Sequence, residues 1–205
     1  MTSIVLLRHA AHDWLGRGLA GRLPGVGLST AGQAQARALV RRLQDQPLAA
    51  IHSSPQQRTL ETVEPLARQR GLAVQVDAAF DEIDFGAWTG LRFDEVRLQA
   101  EAWKHWVERR GSAQPPGGEP FAAVAERAMA GLHRLAARHP GQQVLVASHG
   151  DVVKAIVATV LGLSLDHLER FVVAPASVSI VVVEPAWAQL QLLNATELVR
   201  PGGHA

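Results

Sequence analysis

Ile4-Val5-Leu6-Leu7-Arg8-His9 is the stretch on which the fold turns. Four successive apolar residues leave no polar face, which is the pattern of a strand covered by helices on both sides. The pattern recurs far downstream as Val144-Leu145-Val146-Ala147-Ser148-His149-Gly150, again ending in a histidine. Between and beyond these two stretches, Leu48 to Ser53, Ala73 to Val76, Ser177 to Val183 and Gln189 to Leu193 read as further strands. Helical spacing fills the gaps. Ser29 or Thr30 caps a helix carrying Ala31, Ala34, Ala38, Leu39 and Leu43 on its apolar face. Further helices are expected over Gln56 to Arg70, with a kink at Pro65, and over Arg92 to Arg110, Ala122 to Arg138 and Val152 to Leu161. Strands alternating with helices predict an α/β fold, a three-layer α/β/α sandwich around a mainly parallel sheet. Residues 1–205 are expected to form a single domain, with a small helical cap inserted at about 88–120.

Composition removes several classes of function. Hydrophobic residues make up 47% of the 205, enough for a large core, and the formal net charge is only +1. A dedicated nucleic-acid binder would show a basic excess, so no nucleic-acid partner is expected. Cysteine is absent, which excludes disulfide scaffolding, zinc–thiolate sites and thiol catalysis. The first residues lack the basic n-region of a signal peptide, and the apolar runs are too short to cross a bilayer. A soluble, cytoplasmic protein with no membrane partner is the expectation.

Strand ends then locate the chemistry. In open α/β sheets ligands bind outside the carboxyl ends of the strands. Arg8 and His9 follow one buried strand, and His149 follows another. Ser53-Ser54-Pro55 ends a third and leads into Arg58 at the start of a helix. Two guanidinium groups suit a phosphoryl dianion, which they can grip bidentately at any working pH. A neutral imidazole can attack phosphorus and form a covalent intermediate. The leaving alkoxide needs a proton, and acids for that task lie in Phe80-Asp81-Glu82-Ile83-Asp84-Phe85-Gly86-Ala87-Trp88-Thr89-Gly90, where Phe85 and Trp88 could desolvate a carboxyl group.

These motifs resemble the histidine phosphatase superfamily, in its phosphoglycerate mutase-like branch. Leu7-Arg8-His9, the segment Ser53 to Thr62 around Arg58, the acid segment Asp81 to Gly90 and Ser148-His149-Gly150 stand in the family's order and spacing. The resemblance implies His9 as nucleophile, Glu82 as proton donor, and Arg8, Arg58 and His149 as holders of the phosphoryl group. It implies a phosphatase acting on small phosphorylated metabolites without metal or cofactor, with Asp84 the less favoured acid. The pattern is broken in one loop. Ala10 replaces the motif glycine, Ala11 and His12 stand where mutases carry polar residues, and Leu15 falls on a phosphate-binding asparagine. Arg22 and His12 are the further candidates for contacting substrate.

Rival readings attach to particular residues. Gly16-Arg17-Gly18-Leu19-Ala20-Gly21 matches a dinucleotide fingerprint but lacks the strand-to-helix context. His9, His12, His149 and Asp151 could be metal ligands, against the repulsion of Arg8 and Arg58. The same residues would also serve phosphoglycerate mutase-type transfer, or a non-catalytic module that binds a phosphorylated ligand. The tryptophans are expected to pack in the core or cap rather than form a ligand cage, with Trp103 and Trp106 sharing one face of a helix that roofs the pocket. The sequence carries no reading of oligomeric state.

Overall fold

A computed structural model describes residues 1–197. The first strand, β1 (Thr2–Arg8), lies inside a six-stranded sheet. It is followed by α1 (Thr30–Arg42), β2 (Leu48–Ser53), α2 (Gln57–Arg70) and β3 (Val74–Val76). Two short helices, α3 (Phe93–Arg97) and α4 (Ala100–Glu108), precede α5 (Phe121–Arg138), β4 (Gln143–Ser148) and α6 (Gly150–Val160). Strands β5 (Val178–Glu184) and β6 (Trp187–Ala195) complete the described chain. The strand order is β3-β2-β4-β1-β5-β6. The β1–β4, β2–β4 and β2–β3 pairings are parallel, while β5 runs antiparallel to both β1 and β6. The sheet is therefore mixed and mostly parallel, with helices on both faces.

Alternation along β1 divides the core. Ile4 and Leu6 point into a cluster with Val144, Val146, Leu132 of α5 and Ile156 of α6, while Val5 and Leu7 point the other way, onto Leu39 of α1 and Leu66 of α2. All four β1 residues are fully buried. At about 1.5–3 kcal/mol for each fully buried aliphatic side chain, they pin β1 between the two helical layers. The Ser29 hydroxyl accepts from Gly32 N at 3.1 Å and starts α1. Gly32 is required there by packing, because a Cβ would overlap the Ala11 carbonyl in the loop after β1.

One expectation needs correction. The helix expected over Arg92 to Arg110 is broken at Leu98-Gln99, where Gln99 takes ψ 59°. The cause is the buried Trp88 indole, whose N–H requires an acceptor and finds Gln99 Oε1 at 2.8 Å. Helix α2 runs through Pro65 without interruption and closes at Gly71, where φ is +64°. No helix among the described residues is long and apolar enough to cross a membrane.

Candidate active site

The carboxyl ends of β1, β2 and β4 lie side by side, with Arg8 in register with Ser148 and Ser53 with Ala147. This register brings His9, Arg58 and His149 to one place. His9 is 2% exposed and its ring centroid lies 5.2 Å from that of His149. His9 Nδ1 lies 2.8 Å from the Ala10 carbonyl. A carbonyl can only accept, so the proton sits on Nδ1 and the lone pair on Nε2. Burial first, then the nearby Arg58 and Arg8 charges, hold the His9 pKa well below the ordinary histidine value. The ring is therefore neutral.

Arg58 is almost fully buried. Its Nη2 donates to the Gly21 carbonyl at 2.7 Å and to His149 Nδ1 at 3.1 Å. Its Nε and Nη1, together with Arg8 Nε, are buried without a protein hydrogen-bond partner. Arg8 is steadied by the Val173 carbonyl and by Gly150, where any Cβ would press on the guanidinium at 3.2 Å. His149 Nε2 lies 2.8 Å from Ser54 Oγ, which in turn donates to Asp81 Oδ1 at 3.1 Å. Neutral His149 follows from the same causes as for His9, burial ahead of Arg58.

Glu82 closes the group. One carboxyl oxygen accepts from Ile83 N at 3.1 Å, and the other lies 3.4 Å from His149 Nδ1 and 3.7 Å from Arg58 Nη2. Desolvation raises its pKa to about 7, outweighing the opposing pull of Arg58. By contrast Asp84 is half exposed and caps Gly86 N at 2.8 Å, on the far side of Arg22.

His9, Glu82 and His149 offer atoms within 4.8 Å of one another, the spacing a metal ion needs. The electrostatics oppose it: Arg58 Nη2 already donates to His149 Nδ1 and lies 3.7 Å from Glu82, and Arg8 stands beside them. A cation would be desolvated among fixed positive charges. The residues do not fit a resident metal, and the set suits an anion.

A cavity of about 240 Å³ opens onto Arg8, His9, Arg58 and Glu82, with His149 behind them rather than in its lining, and is lined also by His12, Trp14, Leu15, Phe93, Asp151 and Lys154. His12 is buried beside His9 at 5.0 Å between centroids, its pKa lowered to about 4 by burial and then by Arg58. Arg22, expected to contact substrate, does not line the cavity; its guanidinium is engaged by the Glu82 carbonyl and by Asp81 and Glu119. Trp103 and Trp106 do not line it either, in keeping with the core packing expected of them. They pack edge-on against Trp88 in the core, because indole area of that size is favoured out of water. Trp14, in the loop after β1, and Phe93, the first residue of the short helix α3, stand at the wall, and neither position belongs to a helix long enough for periodicity to single it out. Ala10 is accommodated without strain, since Ala176 and Asn194 are the non-glycine residues of positive φ among the described residues.

Comparison with known proteins agrees with this geometry. Phosphoserine phosphatase 1 of Hydrogenobacter thermophilus is 32% identical over 96% of this chain and 93% of its own length. Among solved structures, Bacillus stearothermophilus YhfR superposes with a TM-score of 0.88 at 31% identity, covering 94% of this chain and 96% of that one. The mycobacterial glucosyl-3-phosphoglycerate phosphatase, solved with VO3, gives a TM-score of 0.85 at 27% identity over 94% of this chain and 98% of the other. The profile of the histidine phosphatase superfamily (branch 1) matches residues 4–196. With both histidine motifs, both arginines and the sheet that assembles them in place, the chain belongs to the histidine phosphatase superfamily and is a phosphomonoesterase.

Proposed function

We propose that His9, Arg8, Arg58, His149 and Glu82 carry out the hydrolysis in two displacements at phosphorus. The observation that carries this reading is the set of buried guanidinium N–H groups, Arg8 Nε and Arg58 Nε and Nη1, left without protein partners around a neutral imidazole. Buried donors require acceptors, and phosphoryl oxygens supply them in the right number. His9 Nε2 forms the bond to phosphorus as the bond to the ester oxygen breaks. Protonated Glu82 passes its proton to the departing alkoxide and is left as a carboxylate. That carboxylate then takes a proton from water, whose oxygen displaces the phosphoryl group from His9, giving inorganic phosphate and the starting enzyme. His149 accepts from Arg58 in the ligand-free chain and so aims this guanidinium at the phosphoryl group.

Small, polar substrates fit the cavity, and the relatives' names offer phosphoserine and glucosyl-3-phosphoglycerate as candidates, of which phosphoserine is the smaller. Asp151 and Lys154 offer both signs of charge at the wall. We read residues 1–205 as one domain whose segment 88–120 caps this cavity. Phe93 at the wall and the bridge between Gly18 and Arg92 support that reading. We further propose the cytoplasm as its compartment, since phosphorylated metabolites carry charge that a bilayer excludes.

The reading favours hydrolysis over mutase-type transfer. A mutase must hold the departing alcohol and exclude water, whereas Leu15, Trp14 and Phe93 make one side of this wall apolar. Incubation with 3-phosphoglycerate and catalytic 2,3-bisphosphoglycerate should release phosphate faster than 2-phosphoglycerate forms. Faster interconversion would replace this reading with the mutase one. A panel of phosphorylated metabolites, led by phosphoserine, then ranks the substrates by phosphate release.

A further inference from the structure

Glu82 sits in a stretch, 81–85, that is neither helix nor strand. No regular hydrogen-bond ladder holds it, yet proton donation requires placement to a fraction of an ångström. Two arginines from distant parts of the chain converge on its backbone carbonyl instead. Arg22 Nε donates to the Glu82 carbonyl at 2.8 Å, and Arg127 Nη2, from α5, donates to it at 3.2 Å. Glu119 ties the two together, accepting from Arg22 Nη2 at 3.2 Å and from Arg127 Nε and Nη2 at 2.7 and 3.0 Å. Arg127 Nη1 also donates to the Ala79 carbonyl at 2.9 Å, and Glu119 N to the Asp84 carbonyl at 2.8 Å. Asp81 faces Arg22 at 3.3 Å from the opposite side. All three are only partly exposed, and none of them lines the cavity.

The consequence runs through a single peptide plane. Two charged donors on the Glu82 oxygen fix the plane of the bond joining Glu82 to Ile83. The other end of that plane is the Ile83 N–H, which holds the Glu82 carboxyl at Oε1. Fixing the carbonyl therefore fixes the direction from which the acid is held. We infer that Arg22, Glu119 and Arg127 are positioning residues for Glu82, a clamp that sets its rate of proton donation without touching substrate. This rests on Glu82 being the acid. It also gives Arg22 a role where the sequence suggested substrate contact. The clamp joins the loop after β1, a residue two positions before α5 and α5 itself, so the acid is located by tertiary structure alone.

The test compares Arg22→Gln, Glu119→Gln and Arg127→Met with the unaltered chain and with Glu82→Gln. Two esters are used, phosphoserine with its poor alkoxide leaving group and p-nitrophenyl phosphate, which needs little protonation. Circular dichroism and melting first establish folding. Arg22→Gln, which alters a partly exposed loop and keeps one of the two donors, preserves the test if the buried variants fail to fold. The clamp requires a kcat loss on phosphoserine of about 10- to 100-fold, part of the roughly 10²- to 10⁴-fold that a general acid contributes. The loss on p-nitrophenyl phosphate should be several-fold smaller, with KM little moved. The fall of kcat/KM at alkaline pH should also shift to lower pH as Glu82 regains solvent. Equal losses on both esters with an unmoved pH profile, or unchanged kinetics in folded variants, would overturn the clamp. If Glu82→Gln alone shows the leaving-group effect, the clamp falls and the acid stands; if Glu82→Gln shows none, both fall.

Discussion

Arg58 Nη2 donates to His149 Nδ1 across 3.1 Å, and because a guanidinium can only donate, the His149 proton must sit on Nε2. There it faces the Ser54 hydroxyl at 2.8 Å. His149 is thus fully engaged in the ligand-free chain, and its first service is to hold Arg58. Removing either residue should remove most of what the pair contributes. The losses in kcat/KM for His149→Ala and Arg58→Ala should therefore fail to multiply in the double variant. A double variant whose loss equals the product of the two single losses would show that they act independently.

His9→Ala should abolish turnover, since no other imidazole at the site has a lone pair directed into the cavity from a fixed tautomer. Rapid quenching with labelled substrate should trap an acid-labile, base-stable phosphoryl adduct on His9. An adduct found on His12 or His149 would reassign the nucleophile.

Glu82 donates only while protonated. With its pKa raised to about 7 by burial, activity on alkyl esters should be full at mildly acidic pH and fall as pH rises through that value. His9 stays neutral well into the acid range, so it does not impose an early acid limb. Stability carries the same signature. A carboxyl group whose pKa is raised on folding contributes stability that is complete below its unfolded value and lost as pH rises through the folded one. Glu82→Gln has no such loss. The melting temperature of Glu82→Gln relative to the unaltered chain should rise between about pH 5.5 and about pH 8, because the buried histidines are common to both and cancel. A constant difference across that range would mean Glu82 does not titrate there.

Prolonged dialysis against a chelator should leave phosphate release unchanged, because Arg8 and Arg58 supply the charge a metal would otherwise bring. Activity lost on dialysis and restored by zinc or manganese would return His9, Glu82 and His149 to the reading of a metal centre.

What could be read in advance followed from burial on both faces. Val5 and Leu7 had to be covered as fully as Ile4 and Leu6, so the strands and the residues ending them stood out. His9, Arg58 and His149 inherit their positions from strand ends and needed no knowledge of the rest of the chain. Features set by distant partners were not legible. Gln99 breaks a helix to serve an indole eleven residues earlier. Arg22 turns from the cavity because Glu119 and Glu82 stand behind it. A three-residue spacing makes Trp103 and Trp106 neighbours but says nothing of which surface they meet, and here it is Trp88.

The place of β1 in the sheet has a consequence for synthesis. Leu6 is paired on one side with Val146 and on the other with Ser179. The strand that ends in the nucleophile therefore waits for partners made long after it, and until they emerge its Ile4-Val5-Leu6-Leu7 run has no sheet to join. Pairing over such separations in sequence is slow and leaves apolar strands open to wrong partners meanwhile. On the ribosome the phosphate cradle is absent for most of translation, and a chain cut short before β4 would hold His9 but lack His149 altogether.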